Sequence, residues 1–201
     1  MAKRQVKLGF WQAIDCDILT HARYASDFFG NRIGTLRKIG ILLTPGMLCT
    51  LLYRISHGLW GHGLRRFAGL ASWLNFVVHK ATIHPASRIG PGLYIPHTVG
   101  VIFFGHAGGR LTLYANAIVA PCDMHGSRAV LNECCPLLGD GVTVGAFAMA
   151  LGAITVGNDV KIGPGSVCSE SLGNGVNLIS GDHAKARPSA VVHQLHAEQV
   201  A

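Results

Sequence analysis

Aliphatic or small residues recur at every sixth position through Ile83, Ile89, Ile95, Val101, Ala107, Leu113 and Val119. After a gap the same beat resumes at Leu138, Val144, Ala150, Val156, Ile162 and Cys168. A period of six suits neither an amphipathic helix nor an alternating strand. It predicts a parallel β-helix, in which three short strands make one triangular coil and successive coils stack about 4.8 Å apart. The beat residues then point inward as aliphatic columns. Glycine follows many of them, as in Ile89-Gly90, Val144-Gly145, Val156-Gly157 and Ile162-Gly163, where a corner calls for a small residue. The expected fold class is mainly β, with coils running from about Ile83 to Ile179.

Residues 1–80 follow another rhythm. Phe10 to Phe29 has helical spacing, with Trp11, Ile14, Ile18 and Ala22 on one side. Beyond Gly30-Asn31 an apolar stretch is divided by Pro45, which suits the first turn of a helix through Leu48, Leu51, Leu52, Ile55 and Leu59. Gly61 and Gly63 end that helix, and Leu64 to Val78 can form one more. The expectation is an α-helical cap over the open end of the solenoid. Arg65, Arg66 and Trp73 keep open a second role for it, peripheral contact with the inner membrane surface. Residues 81–188 form the β-helix domain, with an insertion at 121–136 that does not fit the beat. Residues 189–201 are a polar tail.

Composition narrows the partners. Charged residues are 13% of the 201 and the formal charge is +7, which favours anionic ligands or surfaces. No basic face is interleaved with aromatics in the manner of a nucleic-acid module, so nucleic acid is not an expected partner. The six cysteines include the neighbours Cys134 and Cys135, a poor disulfide framework, and no secretory signal is visible. The expected location is cytoplasmic. Ile39 to Tyr53 is uncharged but too short to span a bilayer, and it reads as buried helix.

Chemistry gathers in the insertion, which holds Cys122, Asp123, His125, Glu133, Cys134 and Cys135. A polar loop thrown out of a rigid solenoid commonly carries function. Cys122-x-x-His125 followed by Cys134-Cys135 offers four soft ligands. The spacing matches no common zinc finger, though, and adjacent cysteines are awkward ligands, so no metal is expected.

Three stretches together resemble the serine acetyltransferases, a family of hexapeptide-repeat acyltransferases. They are Arg54-Ile-Ser-His-Gly-Leu-Trp60, Ile83-His84-Pro85-Ala86-Ser87-Arg88-Ile89-Gly90-Pro91-Gly92, and Ile95-Pro96-His97-Thr98-Val99-Gly100-Val101. The resemblance covers roughly residues 50 to 188. It implies a left-handed β-helix, a homotrimer with the active site between neighbouring coils, and acetyl transfer from acetyl-CoA to a hydroxyl. His97 matches the family's catalytic histidine. Imidazole titrates near working pH, so it can take the hydroxyl proton during attack on a thioester and return one to the leaving thiolate.

The departures concern the acceptor. Pro96 stands where the family has an aspartate before the histidine. Thr82 replaces a second aspartate, and Cys135 replaces a loop histidine. A small zwitterion needs paired charges around it, so these losses point away from serine. The expected acceptor is a sugar of a surface polysaccharide or its precursor. The alternatives are serine O-acetylation, as in cysteine biosynthesis, and a non-catalytic or zinc-bearing scaffold. A backbone carbonyl, Thr82, Asp123 or Glu133 could orient His97, and His125 could replace the missing loop histidine. Gly145, Ala146, Gly163 and Pro164 offer small side chains against which a pantetheine arm can lie. Lys185 and Arg187 are placed by the resemblance to meet CoA phosphates. His84 and His106 are expected to be structural, the former at a coil corner.

Overall fold

The computed structural model describes residues 9–29, 35–121, 134–179 and 186–188, apart from the side chains of 25–29, 35–38 and 186–188. Its order is four helices followed by a stack of short strands: α1 (Phe10–Phe29), α2 (Thr35–Leu42), α3 (Pro45–Gly61) and α4 (Arg65–His79), then β1 (Thr82–Ile83) onward.

The strands form three sheets that share one axis. The first contains β1, β3 (Ile102–Phe103), β6 (Ile118–Ala120), β9 (Met149–Leu151) and β12 (Val167–Cys168). The second contains β2 (Arg88–Ile89), β4 (His106–Ala107), β7 (Leu137–Leu138) and β10 (Thr155–Val156). The third contains β5 (Thr112–Leu113), β8 (Thr143–Val144), β11 (Lys161–Ile162), β13 (Val176–Leu178) and β14 (Ala186–Pro188). All described pairings are parallel except β13 with β14. Leu137 pairs with Thr155 and Thr143 with Lys161, so one full turn takes three hexads. Every beat residue predicted from the sequence is buried, and together they make one continuous core.

The register departs from the beat at one place. Ile83 pairs with Phe103, not with Val101, and Phe103 pairs in turn with Val119. The corner through Thr98, Val99 and Gly100, where Gly100 has φ 71°, carries two extra residues. The next corner is two residues short and returns the phase at Ala107. That short corner is possible because Gly105 has no side chain: a Cβ there would sit 2.8 Å from the Pro136 carbonyl oxygen. Val101 is still fully buried, but it precedes the strand.

Another corner is held by a ladder of side chains. Asp140 Oδ1 accepts from the Gly109 N–H, Asn158 Oδ1 from Asp140, and Asn174 Oδ1 from Asn158, at 2.8, 2.8 and 2.7 Å. Each carboxylate or amide thereby satisfies a backbone donor in the preceding coil.

The cap grips the first coil through a buried ion pair. Arg54 on α3 donates from Nε to Asp17 Oδ2 at 2.9 Å and from Nη2 to Asp17 Oδ1 at 3.1 Å. Its remaining donors reach the Ile89 and Gly90 carbonyls at 2.6 and 2.7 Å. Asp17, on α1, also accepts from the Gly92 and Leu93 N–H groups, both at 2.8 Å. Beside it the Tyr53 hydroxyl donates to the Ser87 carbonyl and accepts from the Ile89 N–H. Burial lifts the Tyr53 phenol to about 12. Further along α1, Tyr24 stacks on Tyr94 at 4.2 Å.

The helix read at Pro45 begins there, with Thr44 as N-cap. Two details of the cap differ from expectation. Trp11 is exposed, because among its described side chains α1 buries Ile14, Asp17, His21 and Ala22. Ile39 and Leu43 are also exposed, since the chain breaks between α2 and α3 instead of continuing as buried helix.

Removing the carboxylate by Asp17→Ala leaves a buried guanidinium and two backbone donors without their partner. It should cost about 3–5 kcal/mol in chemical denaturation. An unchanged midpoint would contradict the clamp. His21 adds a pH dependence: burial lowers its pKa to about 4, below its ordinary 6.5. The unfolded chain then binds the proton first, so stability should fall as pH drops from about 6.5 toward 4. His21→Leu should flatten that slope in thermal unfolding.

Candidate active site

The corner between the third sheet and the first carries most of the expected chemistry. In the first coil it holds Pro96 and His97, whose ring is exposed and has no hydrogen-bond partner among the described residues. Thr98, next to it, is buried, and the Gly100 N–H donates to the Lys80 carbonyl at 3.0 Å. That bond joins the corner to the end of α4 and sets Thr82 beside it at the start of β1. The expected orienting acids, Asp123 and Glu133, lie outside the described residues, as does His125.

Lower coils continue the same corner. Asn116 N–H donates to the Val99 carbonyl, Phe147 N–H to Ala115, and Gly165 N–H to Ala146, each at 2.9 or 3.0 Å. Gly145 N–H donates to the Ile162 carbonyl at 2.8 Å, and a Cβ on Gly145 would approach the Pro164 nitrogen to 2.7 Å. Gly145, Ala146, Gly163 and Pro164 therefore lie together, on the corner that carries His97 at its upper end. At Gly145 and Gly163 the absent side chain leaves room for the backbone of the next coil, so these glycines serve the stacking itself.

Sequence reasoning missed two large residues on this corner. Tyr114 and Phe147 are both exposed, and Phe147 has φ 58°. A positive φ on an aromatic residue was the only available signal, and it is invisible without coordinates. Lys185 lies outside the described residues. Arg187 is placed by its backbone alone, paired with Asn177 at the foot of the third sheet.

Cys135 belongs elsewhere. The insertion leaves after β6 and returns before β7, at the corner between the first and second sheets. Cys135 is buried there, and burial pushes its thiol pKa up. A protonated buried thiol is a poor base. His84 occupies the same corner in the first coil. Its Nδ1 accepts from the Ala86 N–H at 3.1 Å, and its ring meets Trp60 edge-on at 5.6 Å. Burial lowers its pKa, which fits the structural role expected of it. His106 likewise accepts on Nδ1 from the Arg88 N–H at 3.2 Å. One protomer thus brings Thr82, His97 and the glycine face to one corner and leaves the root of the insertion on another. The described cysteines are all free, and among the described residues no group of His, Cys, Asp and Glu could hold a metal ion.

The three-sheet stack of hexads is a hexapeptide-repeat β-helix. Residues 136–170 match the bacterial transferase hexapeptide (six repeats). The chain is 35% identical over 147 residues to the serine acetyltransferase of Helicobacter pylori, covering 72% of this chain and 82% of that one. It is 33% identical over 129 residues to the Escherichia coli serine acetyltransferase, covering 63% of this chain and 45% of that one. The chain belongs to the serine acetyltransferase family. Among solved structures, Neisseria gonorrhoeae serine acetyltransferase superposes with TM-score 0.73 at 24% identity, over 89% of this chain and 66% of that one. A serine acetyltransferase in complex with CoA gives TM-score 0.74 at 23% identity, over 89% and 69%. The fold is the left-handed parallel β-helix that the resemblance implied.

Exposure and pKa together order the thiols. Cys134 is exposed, whereas Cys49 is fully buried with its pKa raised to about 12. Brief alkylation at pH 8 with peptide mapping should modify Cys134 well before Cys135 and leave Cys49 untouched. Equal labelling of Cys134 and Cys135 would show that the root of the insertion is open.

Proposed function

We propose that this protein transfers the acetyl group of acetyl-CoA directly to a hydroxyl, with His97 as general base and serine as the acceptor. The observation that carries the reading is the 35% identity extending over 82% of a curated serine acetyltransferase. His97, at an exposed corner above a glycine-lined face, supports it. A thioester carbonyl lying along that face would stand below the imidazole. The hydroxyl loses its proton to His97 as it attacks, and the departing thiolate takes a proton back. A backbone N–H beside His97 that is not part of the coil ladder would stabilise the oxyanion. No covalent enzyme intermediate is needed.

The separation of the two corners supports a homotrimer in which a neighbouring protomer brings its insertion to His97. Asp123, His125 and Glu133 would then act across the junction. Thr82 and Cys135 would line the acceptor pocket, while Lys185 and Arg187 would meet the nucleotide phosphates.

A second reading rests on one specific observation. Pro96 and Thr82 border His97 where the family carries carboxylates, so the first coil offers no anion for an ammonium group. A neutral hydroxyl, such as that of a glycan, suits this corner better on electrostatic grounds alone. The relatives' activity nevertheless favours serine over the glycan expected from the sequence.

Acetyl transfer from labelled acetyl-CoA, offered to serine and to sugar acceptors in parallel, separates the readings. His97→Ala should lower kcat at least about 100-fold while leaving the KM for acetyl-CoA nearly unchanged. Full activity in that variant would remove the assignment. Transfer to sugars but not to serine would select the second reading.

A further inference from the structure

Helix α4 is packed the wrong way round for a surface helix. Its inner stripe is small or polar: Ala68, Ser72, Asn75 and His79, three or four residues apart. Ala68, Asn75 and His79 are buried, and the stripe is pinned by hydrogen bonds. Ser56 Oγ donates to the Ala68 carbonyl at 2.8 Å, and Asn75 Nδ2 to the Cys49 carbonyl at 3.0 Å. The outer face carries the large apolar side chains. Phe67, Leu70, Trp73 and Val78 are 60, 59, 58 and 58% exposed, with Leu74 and Phe76 beside them. An ordinary amphipathic helix turns that face to the core. Here it makes a continuous apolar strip about 17 Å long on the outside of the cap.

Charge identifies what covers it. Arg65 and Arg66 stand at one end of the strip and Lys80 at the other, all exposed. No aspartate or glutamate occurs between Asp27 and Asp123 in the whole sequence. A second copy of the same face would set these cations against one another with no carboxylate to relieve them. An acidic lipid surface supplies both things that the strip needs, hydrocarbon for the aromatics and phosphate for the cations. Among the described residues no helix is long and apolar enough to cross a membrane, so α4 would lie in the plane of the interface.

We propose that the outer face of α4 is a docking surface for an anionic membrane. The protein binds flat, with Phe67, Leu70, Trp73 and Val78 among the acyl chains and Arg65, Arg66 and Lys80 at headgroup level. The inference does not depend on which hydroxyl is acetylated. It does place the His97 coil, which follows α4 directly, close beneath the lipid.

The full chain should co-float with vesicles containing about 30% phosphatidylglycerol and not with pure phosphatidylcholine, and added salt should weaken binding. Leu70→Ser with Trp73→Ser should lose flotation while keeping the molecular size of the parent. Arg66→Ser alone should weaken binding about five-fold. Independently of any folding defect in those variants, brominated lipids should quench part of the wild-type tryptophan emission, and Trp73→Phe should abolish that part. Failure of the wild-type protein to float, or equal flotation of the double variant, would overturn the proposal. So would a change in oligomer size in the double variant, which would show that another copy of this chain covers the strip.

Discussion

Apart from the short turns at its corners, such as Ala117 N–H to the Tyr114 carbonyl, the backbone of this solenoid bonds to the coil above or the coil below. That constraint governs the rest of the chain. Strands of two or three residues are too short to hold a sheet alone, so each survives through its place in the stack. Residues added to one side of the triangle must either be taken back before the next coil or be kept out of the strands, as the insertion between β6 and β7 is, so that later side chains keep their face. The corner at Thr98–Gly100 shows the compensation at work, two residues gained and two returned before Ala107. That irregular corner carries the exposed His97.

How much of this was legible in the sequence depended on whether a feature is local. The six-residue beat is local, and so are Pro45 at a helix start and the glycines at corners. All three were read correctly from residue types. The register around Phe103 was not legible, because Val101 and Phe103 are equally suited to the interior and only the turn between Ile95 and Ile102 chooses. The Arg54–Asp17 clamp was hidden for another reason. Its partners lie on different helices, and nothing in either helix announces the other. The small residues Gly145, Ala146, Gly163 and Pro164 were legible in the later hexads themselves. Tyr114 and Phe147 were not, since nothing in their spacing separates a corner aromatic from a core one.

The candidate site combines a rigid scaffold with side chains that are free to vary. The corner that bears His97 and the small residues below it is built from main-chain contacts, which tolerate substitution poorly. The positions that have departed from the family pattern, Thr82, Pro96 and Cys135, are side chains that could change without moving the backbone. Proline before His97 removes a carboxylate and also stiffens the approach to the imidazole. An acid supplied by the insertion could compensate across a junction between protomers, but nothing within one coil does so.

The two ends of the stack are finished in different ways. Helices cover the first coil, whereas β14 runs antiparallel to β13 and closes only the third sheet at the last coil. A parallel stack has a natural tendency to go on adding strands, and a bare final rung is a template for another molecule. Reversing direction for three residues ends the ladder with a rung that cannot be followed in register. On that face the sheet is closed to one more parallel coil.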